Sequence, residues 1–211
     1  MMPLTPVVRN LLIINVIMFV ASMAMPQLQR LLMLYPVMSE YFKPFQLVTS
    51  FFMHANLLHI AFNMLTLASI GSMLEMVWRE ERFLFYYLFC GVGASLIHLA
   101  IQYYQYQNLL GEGLTDIVAI NQFGPALGAS GAIFGLVAAV GFLYPETEFG
   151  MFLIPIRFKG KYWIPILLVY EYTLGRANFA NDNIGHFAHL GGAVAGILLL
   201  VYWNRNSILK K

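Results

Sequence analysis

The chain has 211 residues, of which 60% are hydrophobic and only 10% charged, with a net charge of +2. Soluble domains carry about 25% charged residues, and a globule of this size could not hide so much apolar surface. The composition excludes an ordinary soluble domain, the small charge gives no footprint for nucleic acid, and the lone Cys90 excludes an intrachain disulfide.

Six apolar stretches approach the spanning length of about 20 residues: 10–25, 56–75, 83–104, 127–144, 162–177 and 186–203. In lipid they must be helices, because an open strand edge would leave backbone groups unpaired. The first follows Arg9 and has the look of a signal peptide. No clean small-x-small cleavage site follows it, and Pro26 ends it, so it is expected to stay. The next segment, 26–55, is long and largely apolar, and is expected to lie partly embedded in the interface as short amphipathic pieces. The second span carries His59 and Asn63, with His54 just before it and Glu75 at its end. The third carries His98, and a polar, glycine-rich loop follows at 105–126. The fourth holds Ser130, the fifth Glu171, the sixth His186 and His189.

Basic residues set the orientation. Arg9, Arg79, Arg82, Arg157, Lys159, Lys161, Arg205, Lys210 and Lys211 fall on one side, against Arg30, Lys43 and Arg176 on the other. Both termini are therefore expected in the cytoplasm. The expected architecture is all-α: one domain over 1–211, a bundle of six spans, with no soluble domain at either end.

Polar groups at membrane depth are costly and face the bundle interior. Ser130 lies in "GASG", residues 128–131, among the smallest side chains. Gly131 and Gly135 make one face on which helices approach closely, and Gly192 and Gly196 make another. His189 stands three residues before Gly192. Close packing of the fourth and sixth spans would bring His189 to Ser130. A serine hydroxyl needs a base to become a nucleophile, and neutral histidine suits that task. No acid accompanies His189 at an obvious spacing, since Asp182 lies in the preceding loop, so the expected arrangement is a dyad. Acyl transfer also needs donors for the developing oxyanion. His59 and Asn63, spaced i, i+4, share one helix face.

At these residues the chain resembles the rhomboid intramembrane serine proteases. "HANLLHIAFNM" (54–64) resembles the family's His-x4-His-x3-Asn segment, "GASG" its Gly-x-Ser-Gly, and "AHLGGAVAG" (188–196) its Ala-His-x-x-Gly-x-x-x-Gly. The motifs come in the family's order, on the expected helices. The resemblance implies Ser130 as nucleophile and His189 as general base. It implies an oxyanion hole from Asn63, His59 and the Ser130 N–H, with Gly128 beside them leaving room for the substrate backbone. It implies transmembrane protein substrates that enter sideways from the lipid bilayer into a water-filled cavity, with no metal or cofactor. The compact form resembles bacterial members, so a bacterial inner membrane is the expected location.

There are two departures. Many members carry a Trp-Arg pair in the first outer loop, where Phe45-Gln46 stands here. Some carry a tyrosine four residues after the nucleophile, where Phe134 stands; its ring can still stack on the histidine. His186 could compete as base, but the resemblance places the base directly before Leu190-Gly191-Gly192, which implies His189. Glu75 and Glu171 are expected to cap helix packing or reach an interface. Three other functions fit the residues less well. A metalloprotease lacks its His-Glu-x-x-His, and His186 and His189 have no evident acidic partner. A transporter would favour charged or broken helices in paired repeats. A non-catalytic rhomboid-like protein that binds membrane helices would typically lack the serine or the histidine.

Overall fold

A computed structural model of the protein describes residues 3–150, 157–177 and 185–205; Asp182, Lys210 and Lys211 lie outside the described residues. Helix α1 (Pro6–Ala24) starts with proline, whose missing N–H costs no bond there. The exposed N–H groups of its first turn are taken by a residue far along the chain. Glu75 accepts from Val7 N–H at 3.0 Å, Val8 N–H at 2.9 Å and the Thr5 hydroxyl at 2.6 Å. A carboxylate there also meets the positive end of the helix dipole. The packing role expected of Glu75 is the one it has.

The first loop folds into α2 (Pro26–Leu32) and α3 (Gln46–Thr49), with a 3-10 turn at Ser50–Phe52. Gln46 is its hub and is 1% exposed. Its side-chain carbonyl accepts from Tyr35 and Lys43 N–H, and its amide donates to the Leu31 and Tyr41 carbonyls. A buried amide with both ends satisfied ties four points of the loop together. Gln46 thus organises the segment in which the family's Trp-Arg pair is missing. The loop docks on the third span, where Ser95 donates to the Leu47 carbonyl at 3.2 Å.

Helix α4 (Leu57–Thr66) is capped by the Asn56 side chain, which accepts from His59 N–H. It continues through a π-helical turn, Leu67–Gly71, into α5 (Ser72–Trp78). Arg79, at φ +66°, breaks the chain before α6 (Glu80–Gly111), which runs well past the expected end at 104. Short α7 (Asp116–Ile120) and then α8 (Ser130–Leu143) follow. Strands β1 (Glu148–Gly150) and β2 (Arg157–Lys159) pair antiparallel. This small ribbon is added to a chain whose described elements are otherwise helical, as expected. Helix α9 (Gly160–Ala177) and α10 (His186–Arg205) complete the described chain.

Each expected span coincides with a helix, the second of them running from α4 through α5. By length and composition, α1, the α4–α5 run, α6 and α10 can each cross a membrane, while α8 is a shorter apolar helix. The core lies where α6, α8 and α10 meet. A β-carbon on Gly131 would lie 2.6 Å from Ala94 Cβ, one on Gly135 would lie 2.4 Å from Cys90 Sγ, and one on Gly196 2.3 Å from the Tyr86 hydroxyl. Tyr86 spends that hydroxyl on the Gly135 carbonyl, at 2.9 Å. Two faces of small residues therefore meet α6 and each other, as the spacing of glycines predicts.

Candidate active site

Ser130 is the first residue of α8, so its own N–H has no acceptor within the helix. The chain reaches it through Gly128 at φ +119°, a conformation open mainly to glycine. Gly128 N–H is anchored on the Ser50 carbonyl at 2.9 Å. The Ser130 Oγ lies 2.8 Å from His189 Nε2. His189 sits in the first turn of α10, its ring stacked on Phe134 at 4.1 Å and 5°. Phe134 stands one turn after Ser130, so the serine and the stacking ring share a helix face. The stack expected of Phe134 is present without a hydroxyl.

The other nitrogen of His189 has a partner that the sequence did not reveal. Glu171 Oε2 lies 2.9 Å from His189 Nδ1 and 2.6 Å from His186 Nδ1. This corrects two expectations, that no acid accompanies His189 and that the paired histidines lack an acidic neighbour. A carboxylate accepts only, so both Nδ1 atoms donate. The lone pair of His189 is then on Nε2, and the Ser130 hydroxyl donates to it. Glu171 is on α9, 18 residues away in sequence. The signal that could have found it was a carboxylate inside an apolar span, which marks a functional site by default. The three ligand-type atoms lie within 4.8 Å of one another. Hydrogen bonds already join them, which accounts for the cluster without a metal ion. His186 points its Nδ1 at Glu171, and it is the His189 ring that reaches Ser130.

His59 and Asn63 occupy the facing helix, α4. Ala55 N–H approaches His59 Nδ1 at 3.5 Å, which puts the ring proton on Nε2. A β-carbon on Gly128 would lie 2.7 Å from that Nε2 and 3.6 Å from Ser130 Oγ. The absent side chain at 128 is the gap between His59 and the serine. Asn63 is buried, and its Nδ2 has no hydrogen-bond partner among the described residues. His59, Asn63, Gly128, Ser130 and His189 all line one cavity. His98 lines it too, from α6, but none of the hydrogen bonds at Ser130 is made by it. His54 stands apart, in the loop before α4, edge-on to His59 at 5.1 Å. Burial, with His59 adding to it, pushes its pKa down to about 4.

A model of the rhomboid domain family matches residues 41–206. The chain is 30% identical to the human presenilin-associated rhomboid-like protein, mitochondrial, over 225 aligned residues, covering 96% of this chain and 51% of that protein. It is 27% identical to Rhomboid protein 1, mitochondrial, of Saccharomyces cerevisiae, covering 90% of this chain and 51% of that protein. It is 31% identical to the rhomboid protease GluP of Bacillus subtilis over 151 residues, covering 72% of this chain and 24% of that protein. The chain thus spans about half the length of the first two. It is an integral membrane protein. The mitochondrial names of these relatives do not support the expected bacterial inner membrane.

Proposed function

Since this chain belongs to the rhomboid family, we propose that it is an intramembrane serine endopeptidase that cuts peptide bonds in or near transmembrane segments of other membrane proteins. The observation that carries this reading is the 2.8 Å contact between Ser130 Oγ and His189 Nε2. Ser130 attacks the substrate carbonyl and its proton passes to His189 Nε2. The oxyanion is received by Asn63 Nδ2, His59 Nε2–H and the Ser130 N–H at the helix start. His189 then gives its proton to the leaving amine, and an acyl-enzyme remains on Ser130. Water, deprotonated by His189, releases the acyl group and restores the serine.

The bundle crosses the membrane six times, with both termini on the same side, where the basic residues gather. Helix α8 has 14 residues, about 21 Å of length against a hydrocarbon core of about 30 Å. With its C-terminal end at the inner boundary, Ser130 lies below the outer surface, within reach of a substrate helix that unwinds there.

The test is labelling of the detergent-solubilised protein with a fluorophosphonate probe, followed by peptide mapping. Label on Ser130 that is lost in Ser130→Ala and in His189→Ala supports an activated nucleophile. No label on folded wild-type protein would leave a rhomboid-like protein that binds membrane helices without cutting them. Label that survives His189→Ala but not His186→Ala would make His186 the base.

A further inference from the structure

A Ser–His pair does not by itself require a carboxylate, yet Glu171 is buried beside this one, at 6% exposure. A carboxylate at membrane depth is expensive, and here one oxygen serves two imidazoles at once, 2.6 Å from His186 and 2.9 Å from His189. We propose that Glu171 is a positioning residue for the peptidase reaction and that His186 holds it in place, so that His186, Glu171, His189 and Ser130 form one hydrogen-bonded chain. The inference rests on the reading of Ser130 as nucleophile and His189 as base.

Three physical effects follow from the geometry. The bond to Glu171 keeps the His189 proton on Nδ1, and so keeps Nε2 free to take the serine proton. It also fixes the ring within its own plane, which the face-on stack of Phe134 cannot do. When the serine proton arrives, His189 becomes an imidazolium with a carboxylate at 2.9 Å, and the new charge is stabilised where it forms. The Nδ1 proton stays on His189 throughout, and Glu171 acts only as its acceptor. His186 supplies a second N–H to the same oxygen, which fixes the carboxylate's rotamer.

The helix packing fits this assignment. Gly175 lies one turn after Glu171, on the same face of α9. A β-carbon there would lie 3.1 Å from Phe187 Cζ and 3.2 Å from His186 Cβ. The glycine lets α9 approach α10 closely enough for the glutamate to reach both rings.

The experiment resolves the fluorophosphonate reaction of the full chain in detergent into its maximal rate, kinact, and its half-saturating concentration, KI. In Glu171→Gln, kinact is expected to fall about a hundredfold or more, while KI stays within about twofold of wild type. Glu171→Asp, which keeps the charge, is expected to recover a large part of the rate. His186→Phe keeps the ring volume and removes the donor, so kinact falls about tenfold at unchanged KI. It also carries the test if Glu171→Gln does not fold. Wild-type kinact in these variants overturns the inference and leaves the Ser130–His189 reading standing. So does a loss that tracks a lowered melting temperature and is equal in Gln and Asp. An unlabelled wild type overturns both.

Discussion

No β-carbon fits on Gly192: one built there would lie 1.8 Å from the carbonyl oxygen of Gly131. Gly131 directly follows Ser130, and Gly192 stands three residues after His189, so this backbone contact governs the distance between nucleophile and base. In Gly192→Ala, α8 and α10 must separate. The overpacking costs about 1–3 kcal/mol, and the hydrogen bond to Ser130 is stretched. A lower melting temperature and loss of fluorophosphonate labelling are expected. Labelling at the wild-type rate would mean that the site does not depend on this contact.

Asn63 offers a different separation of stability from reactivity. Its buried Nδ2 has no partner among the described residues, so Asn63→Ala removes no bond made by that donor in the resting protein. The melting temperature should not fall for want of it. If Nδ2 receives the oxyanion, kinact at Ser130 should fall about 10²–10³-fold. A variant that melts early and labels normally would make Asn63 a structural residue.

Glu75 joins α5 to the start of α1, through three contacts on one carboxylate. Glu75→Gln keeps an acceptor but removes the charge facing the helix N-terminus. A loss of about 1–2 kcal/mol is expected, read as a lower melting temperature and earlier proteolysis near residue 25. Ser130 labelling well below the transition should be unchanged. A variant as stable as wild type would show that the charge at this cap contributes nothing.

His54 makes stability depend on pH. Its pKa is about 4 in the folded protein, against 6.5 when free. The unfolded chain therefore binds the proton first as pH falls. Stability should be unaffected by this group above about pH 6.5 and should decline between about pH 6.5 and 4, by at most about 1.4 kcal/mol per pH unit. His54→Phe should flatten the melting temperature over that window. An identical slope in the variant would assign the acid sensitivity to other groups.

The outline of the bundle was legible because lipid leaves an apolar run little choice but a helix. The observed helices Pro6–Ala24, Ser130–Leu143 and His186–Arg205 sit close to the stretches 10–25, 127–144 and 186–203. The meeting of Ser130 with His189 was legible because glycines at Gly131 and Gly192 mark where two helices can touch. The β1–β2 ribbon was not, since a three-residue strand carries no period to read. The role of Gln46 was not, because it ties together residues 31, 35, 41 and 43, whose common meeting point exists only once the loop is folded.

The sequence by itself determined which segments are helical, the order of the motifs, and which serine and histidine face each other. Those properties follow from local pattern, from hydrophobic run length and from small residues at fixed spacing. Only the tertiary structure decided what stands behind His189. Glu171 is on a separate helix, and the rotation of that helix about its own axis is set by how α9 packs on α10 over Gly175. Nothing local in the chain specifies that rotation, and so the sequence predicts a pair where the folded protein presents a hydrogen-bonded chain of four side chains.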